Sequence, residues 1–187
     1  MHYQLLNYPN HQLLYEWLVI ILLVACVTDV IYRRIPNIIT YTTIIFALLI
    51  YYLNDGLGGF FFSLSGAAVG CVFLVPYAMG GMGAGDVKLM CAVGAVLGPA
   101  YTGIALLFIA LAGGVLAIGL MLRRRIFKKT MSSMFLPFLV PGYMREQPKA
   151  KADKKDSIPY AVAIAAGFFL FSLYMMMDQK KLFIFDL

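Results

Sequence analysis

Two of the nine acidic residues in this 187-residue chain stand where charge is expensive. Asp29 lies at the end of an apolar run in "VTDVIYRRIPN", and Asp86 opens another in "GGMGAGDVKLM", behind four glycines. Two carboxyls brought within about 3–5 Å cannot both ionise and share a single proton. The ionised member can take a proton from water as it attacks a peptide carbonyl. The protonated member can donate to the carbonyl oxygen, and a proton later goes to the leaving amine. Such hydrolysis needs no metal and no cofactor, and none is expected. Gly80, Gly81, Gly83 and Gly85 suit this chemistry, because they let the backbone turn freely and keep side chains from between Asp86 and an extended peptide.

The two aspartates meet only if the surrounding elements bring them together. Hydrophobic residues make up 62% of the chain and charged residues 13%, against about 25% charged in a soluble domain; mean hydropathy is +0.84. Apolar runs long enough for a hydrocarbon core of roughly 30 Å recur along most of the sequence. The alternating short strands of a membrane barrel are absent. The expected fold is an all-α polytopic membrane protein, with residues 1–187 as one membrane-embedded domain. Six spans are expected, at about 14–31, 38–53, 57–79, 87–99, 103–122 and 159–177. The fourth, "VKLMCAVGAVLGP", is short for a full crossing and needs a thinned bilayer, the glycine loop or shelter from its neighbours. The first lacks a basic region before it and a small-residue cleavage site after it, and reads as a retained span.

Lys and Arg set the orientation. Six crossings with both termini outside leave 13 of the 15 basic residues in the cytoplasm, all but Lys180 and Lys181. Arg33 and Arg34 follow span one, Lys88 opens span four, and the rest lie in the loop 123–158. That loop begins "RRRIFKK", continues through an apolar, proline-broken piece at 130–144 expected at the interface, and ends in a polar linker. The net charge of +6 then reflects topology and attraction to anionic lipids, with no nucleic acid implied. The same assignment, made from apolarity and basic residues alone, puts Asp29 and Asp86 at the cytoplasmic edge at similar depth. An ionisable residue there is a functional candidate.

Each feature also has a purely structural reading. Asp29 can pair with Arg33 four residues on, and Asp86 can cap the helix it opens. Lys88 can be an inside-positive residue reaching for the interface. Cys26, Cys71 and Cys91 sit singly in apolar runs and read as small buried hydrophobes, with no spacing for a metal site.

Taken together, "DVIYRRIPN" from Asp29, "GAGDVKL" from Gly83 and "IPYAVAIAAG" from Ile158 resemble the type IV prepilin peptidases, membrane aspartic proteases with a GxGD motif. The resemblance runs from span one to span six. It implies Asp29 and Asp86 as the catalytic pair, Gly83 and Gly85 as the motif glycines, and Lys88 at the family's lysine position. Arg33 and Arg34 would be membrane-edge anchors. Pro159 suits the first turn of span six, and Ala161, Ala163, Ala165, Ala166 and Gly167 offer a small-residue packing face. Larger family members carry two zinc-binding CxxC pairs and methylate the new N-terminus. Nothing similar stands in these residues, so the expectation is a peptidase without methylation, like those of tight-adherence (Flp-type) pili, or the archaeal preflagellin peptidases. Substrates would be prepilins or pseudopilins with a basic leader before an apolar helix, cut at the cytoplasmic face of the cytoplasmic membrane. A carboxylate-relay carrier fits less well, because no polar chain continues across the other spans. An inactive assembly scaffold would have no reason to keep both aspartates in their motifs.

Overall fold

Residues 9–78, 82–123 and 160–185 are described by the computed structural model. Gly80, Gly81, Pro159 and the linker, with its 130–144 piece, lie outside them. The elements are α1 (Pro9–Tyr32), α2 (Asn37–Gly70), a 3-10 turn (Cys71–Phe73), α3 (Leu74–Ala78), α4 (Ala84–Arg123) and α5 (Tyr160–Phe185), with no strand among the described residues. Among the described residues four helices are long and apolar enough to cross a membrane: Gln12–Tyr32, Asn37–Ala78, Ala84–Gly119 and Tyr160–Met177.

Two of those four double back on themselves. At about 1.5 Å per residue, a straight helix would set Tyr51 and Phe62 roughly 16 Å apart; their ring centroids are 5.2 Å apart. The fold-back is at Gly56, whose φ of 61° and ψ of −140° belong to glycine alone. The second fold-back is at Gly98 (φ 74°, ψ 172°), followed by Pro99. Beyond it the Thr102 hydroxyl donates to the Gly94 carbonyl at 3.4 Å, a separation of about 12 Å along an unbroken helix. Both breaks fall between apolar runs that the sequence separates, so α2 and α4 each consist of two antiparallel legs.

Small residues let these legs approach. Gly59, Ser63, Gly66 and Gly70 form the buried stripe of the second leg of α2. A side chain on Gly66 would collide with the Gly94 carbonyl, and one on Gly94 with the Gly66 carbonyl. Without a hydrophobic drive between helices in lipid, such backbone contact is what membrane association rests on. Buried hydroxyls bond across it: Tyr51 donates to the Val96 carbonyl at 2.7 Å and Ser63 to the Ala95 carbonyl at 2.8 Å. α5 runs antiparallel to the second leg of α4, with Tyr101 facing Phe171 and Gly167 against the backbone of Ile109. It also runs antiparallel to α1, where Tyr15 donates to Ser172 and packs on Phe168. The expected small-residue face of α5 divides accordingly: Ala161 and Ala163 are buried, but Ala166 faces outward.

The outer surface is as apolar as the core. α1 exposes Leu13, Ile20, Leu23, Val27 and Ile31 while burying Leu14, Leu18, Leu22 and Ala25. The first leg of α4 sits in the middle, with Leu89, Met90, Ala92, Val93 and Ala95 fully enclosed. That explains how a segment too short for the bilayer can be stable, since its neighbours, not lipid, surround it.

Candidate active site

Asp29 continues the inward stripe of α1, one turn beyond Ala25, and is 9% exposed. One oxygen, Oδ2, accepts the backbone N–H of Ala161, the second residue of α5, at 3.2 Å. Arg33, which the sequence offers as a partner for Asp29, acts on it electrostatically from just past the end of the helix. α1 ends at Tyr32, and Arg33 turns into the left-handed region at φ 54°, its N–H bonded to the Asp29 carbonyl at 2.9 Å. This left-handed residue closes the helix and starts the reversal into α2.

Asp86 is 7% exposed, in the first turn of α4. Its Oδ2 accepts the N–H of Gly83 at 3.0 Å. A carboxylate reaching back to the amide at the helix start is one half of a capping box, so the capping role is present. It engages one oxygen only. Gly83 also leaves room: a methyl there would stand 3.2 Å from Asp86 Oδ2. Gly85 faces Ile35 of the α1–α2 connection, where a methyl would meet the Ile35 Cβ at 3.3 Å. The glycines thus let the α4 start lie directly against the loop that follows Asp29.

The two carboxyls share one end of the bundle, and Asp86 lies within electrostatic reach of Asp29. Tyr160, at the start of α5, is likewise within reach of Asp86. The carboxyls come from α1 and α4, two elements with little direct contact of their own; α2 and α5 hold them in place. Lys88, two residues past Asp86, donates from Nζ to Asn37 Oδ1 at 2.9 Å and lies 5.2 Å from the Tyr41 ring centroid. Arg33 and Arg34 are exposed at the same end.

The sequence reading missed the contacts made by Asn37, Tyr41 and Ala161, whose partners Lys88 and Asp29 lie far from them along the chain. The cysteines also differ from expectation. Cys71 and Cys91 are not isolated, since their sulfurs approach to 3.0 Å, while Cys26 donates to the Ala161 carbonyl at 3.2 Å. No group of three or more metal-ligating side chains occurs among the described residues. An open groove lined by Ile45, Leu49, Tyr52, Leu57 and Phe60 lies by the Gly56 fold-back, at the opposite end from the aspartates.

Residues 17–118, a stretch containing both Asp29 and Asp86, match the model of the type IV leader peptidase family. The chain belongs to that family. A relative within reach of the sequence is the prepilin leader peptidase/N-methyltransferase of Bacillus subtilis (strain 168), 32% identical over 157 residues. That alignment covers 82% of this chain and 52% of the relative, so this leader peptidase family member spans about half the relative's length. No solved structure matches significantly.

Proposed function

We propose that this protein is an aspartic endopeptidase that removes the basic leader of type IV, Flp-like prepilins or pseudopilins at the cytoplasmic face of the membrane. The observation that carries the reading is the convergence of Asp29 and Asp86, both nearly enclosed, at one end of the bundle. Residues 1–187 act as one membrane-embedded domain. In this reading each doubled helix crosses twice, for six crossings in all, with the N- and C-termini outside. Arg33, Arg34 and Lys88 lie at the site end, and the positive-inside rule makes that end cytoplasmic. The basic leader of a prepilin lies on that side and its apolar helix in lipid, so the bond between them arrives at the depth of the aspartates. The arginines anchor this edge against anionic headgroups.

In this mechanism the pair holds one proton. The ionised carboxylate removes a proton from a water molecule as its oxygen adds to the scissile carbonyl carbon. The protonated carboxyl gives its proton to the carbonyl oxygen. Collapse of the tetrahedral intermediate breaks the C–N bond, and the amine of the mature pilin leaves with a proton from the dyad. Gly83 leaves the approach to Asp86 open to an extended backbone, and Gly85 lets the start of α4 lie against Ile35.

Co-expression with a candidate prepilin tests this. Wild-type protein should shorten the prepilin, whereas Asp29→Asn and Asp86→Asn should insert normally and leave it uncut. Cleavage by either variant would end the proposal. In a cysteine-free background, Arg34→Cys should react with a membrane-impermeant thiol reagent only after the cells are opened. Labelling of intact cells would reverse the orientation.

A further inference from the structure

Residue 161 is tied to α1 through both of its peptide groups. Its N–H donates to Asp29 Oδ2 at 3.2 Å, and its carbonyl accepts the Cys26 thiol at 3.2 Å. Cys26 and Asp29 are three apart, neighbours on one helix face, so a single residue of α5 meets two successive contacts on α1. Ala161 is fully buried at the junction. The N–H of a first-turn residue has no acceptor within its own helix, so lending it to Asp29 costs α5 no hydrogen bond. The preceding residue, Tyr160, reaches electrostatically to Asp86, so the start of α5 borders both carboxyls. Ala161 also lies beyond the stretch 17–118 matched by the family model.

We propose that the backbone amide of Ala161 is a positioning group for the reaction: it fixes the rotamer of Asp29, and Cys26 braces it from one turn earlier. The inference rests on the dyad reading. With Oδ2 of Asp29 engaged by the Ala161 N–H and Oδ2 of Asp86 by the Gly83 N–H, each carboxyl, among the described residues, keeps Oδ1 for water, substrate and the shared proton. Both are held by amides at helix starts, one from α5 and one from α4. An amide is suited to this task because it cannot rotate away as a side-chain donor can. Preorganisation of this kind matters to turnover more than to binding, since a displacement of about 1 Å in a reacting group can cost on the order of 10²-fold.

The test uses the full chain in detergent or vesicles and a synthetic peptide with a basic leader, a glycine and an apolar helix of about 20 residues. Ala161→Gly keeps the amide and loses the methyl; Ala161→Pro loses the N–H at a first-turn position, where proline is tolerated. The glycine variant should lose no more than a few-fold in kcat. The proline variant should lose about 10²-fold in kcat, with KM within about threefold of the glycine variant. Equal kcat values for the two would overturn the proposal, as would a loss confined to KM. A second pair covers a misfolded proline variant. Cys26→Ala should lower kcat several-fold at constant KM, and Cys26→Ser, which keeps a donor, should restore most of it. Equal activities of these two would count against the brace. Asp29→Asn and Asp86→Asn run in the same assay: residual cleavage by either would bring down the dyad itself, whereas a silent Ala161→Pro with both asparagine variants dead would bring down only the clamp.

Discussion

Lys88 donates a hydrogen bond to the side-chain oxygen of Asn37 at 2.9 Å, joining the first turns of α4 and α2 across 51 residues of sequence. The ammonium also lies over the Tyr41 ring at 5.2 Å, so the contact combines a charge-assisted hydrogen bond with a cation–π approach. It sits one half-turn past Asp86 and holds the beginning of α4 against the loop that leaves Asp29.

A strut of this kind has a distinctive mutational pattern. Lys88→Met, Asn37→Ala and the double variant should each lower kcat/KM by about 2–5-fold, near 0.5–1 kcal/mol for a partly exposed bond. The losses should not add, because either change alone removes the contact. Additive losses would mean that the two residues act separately. A much larger loss for Lys88→Met than for Asn37→Ala would instead mark Lys88 as a direct contact to substrate.

Proton sharing predicts the shape of the rate profile. Below the lower macroscopic pKa of the pair both carboxyls are protonated and no base remains. Above the upper one both are ionised and no acid remains. Activity measured as kcat/KM should therefore fall on both sides of a single optimum. A profile that rises with pH to a plateau would mean that one carboxylate suffices.

The glycines divide into those that must be glycine and those that need not be. Gly98 adopts φ 74°, and the Phe62 ring fills the place of its missing side chain; Gly98→Ala should cost about 2–4 kcal/mol. Gly66→Leu, which drives a side chain into the Gly94 carbonyl, should cost at least about 1–3 kcal/mol. Gly114, in a helix with nothing within 4 Å of an added methyl, should accept alanine with stability unchanged or slightly raised. Thermal unfolding in one detergent checks all three. Equal losses at Gly98 and Gly114 would contradict the fold-back at Gly98.

The two nearest thiols report on the same packing. Cys71 and Cys91 approach to 3.0 Å between sulfurs, about 1 Å beyond a disulfide bond, and join the end of α2 to the first leg of α4. A copper–phenanthroline oxidant should protect both from alkylation, reversibly with dithiothreitol, while Cys26 stays alkylatable. Cys71→Ser should free Cys91. If both thiols remain reactive after oxidation, the second leg of α2 does not lie against α4 as described.

Much of this site could be read from the residues. Asp29 and Asp86 were singled out because charge is rare in such runs, and their shared depth followed from apolarity and basic residues alone. The capping role of Asp86 was also legible, since an acidic residue in a first turn meets free amides. The end of α1 at Tyr32 was not, so Arg33 acts on Asp29 from the turn after the helix and not from the helix face. The cysteines read as solitary because sequence separation says nothing about which helix faces meet. The hydrogen bonds of Asn37 and Ala161 left no signal: one residue reads as the end of a motif after span one, the other as one of several small packing residues, and nothing local names the partner of either.

By itself the sequence determined that the chain is a set of apolar helices, where glycine and proline interrupt them, and which two carboxyls stand in apolar runs. These follow from local quantities: hydropathy, glycine and proline, and the placement of charge. Only the tertiary structure decided which legs pack together, that the short first leg of α4 is enclosed by its neighbours, and that the start of α5 meets Asp29. Where nearly every face is apolar, hydrophobic patterning no longer tells inside from outside. The choice of neighbours then falls to close backbone approach at small residues such as Gly66 and Gly94, and to a few hydrogen bonds between distant parts of the chain.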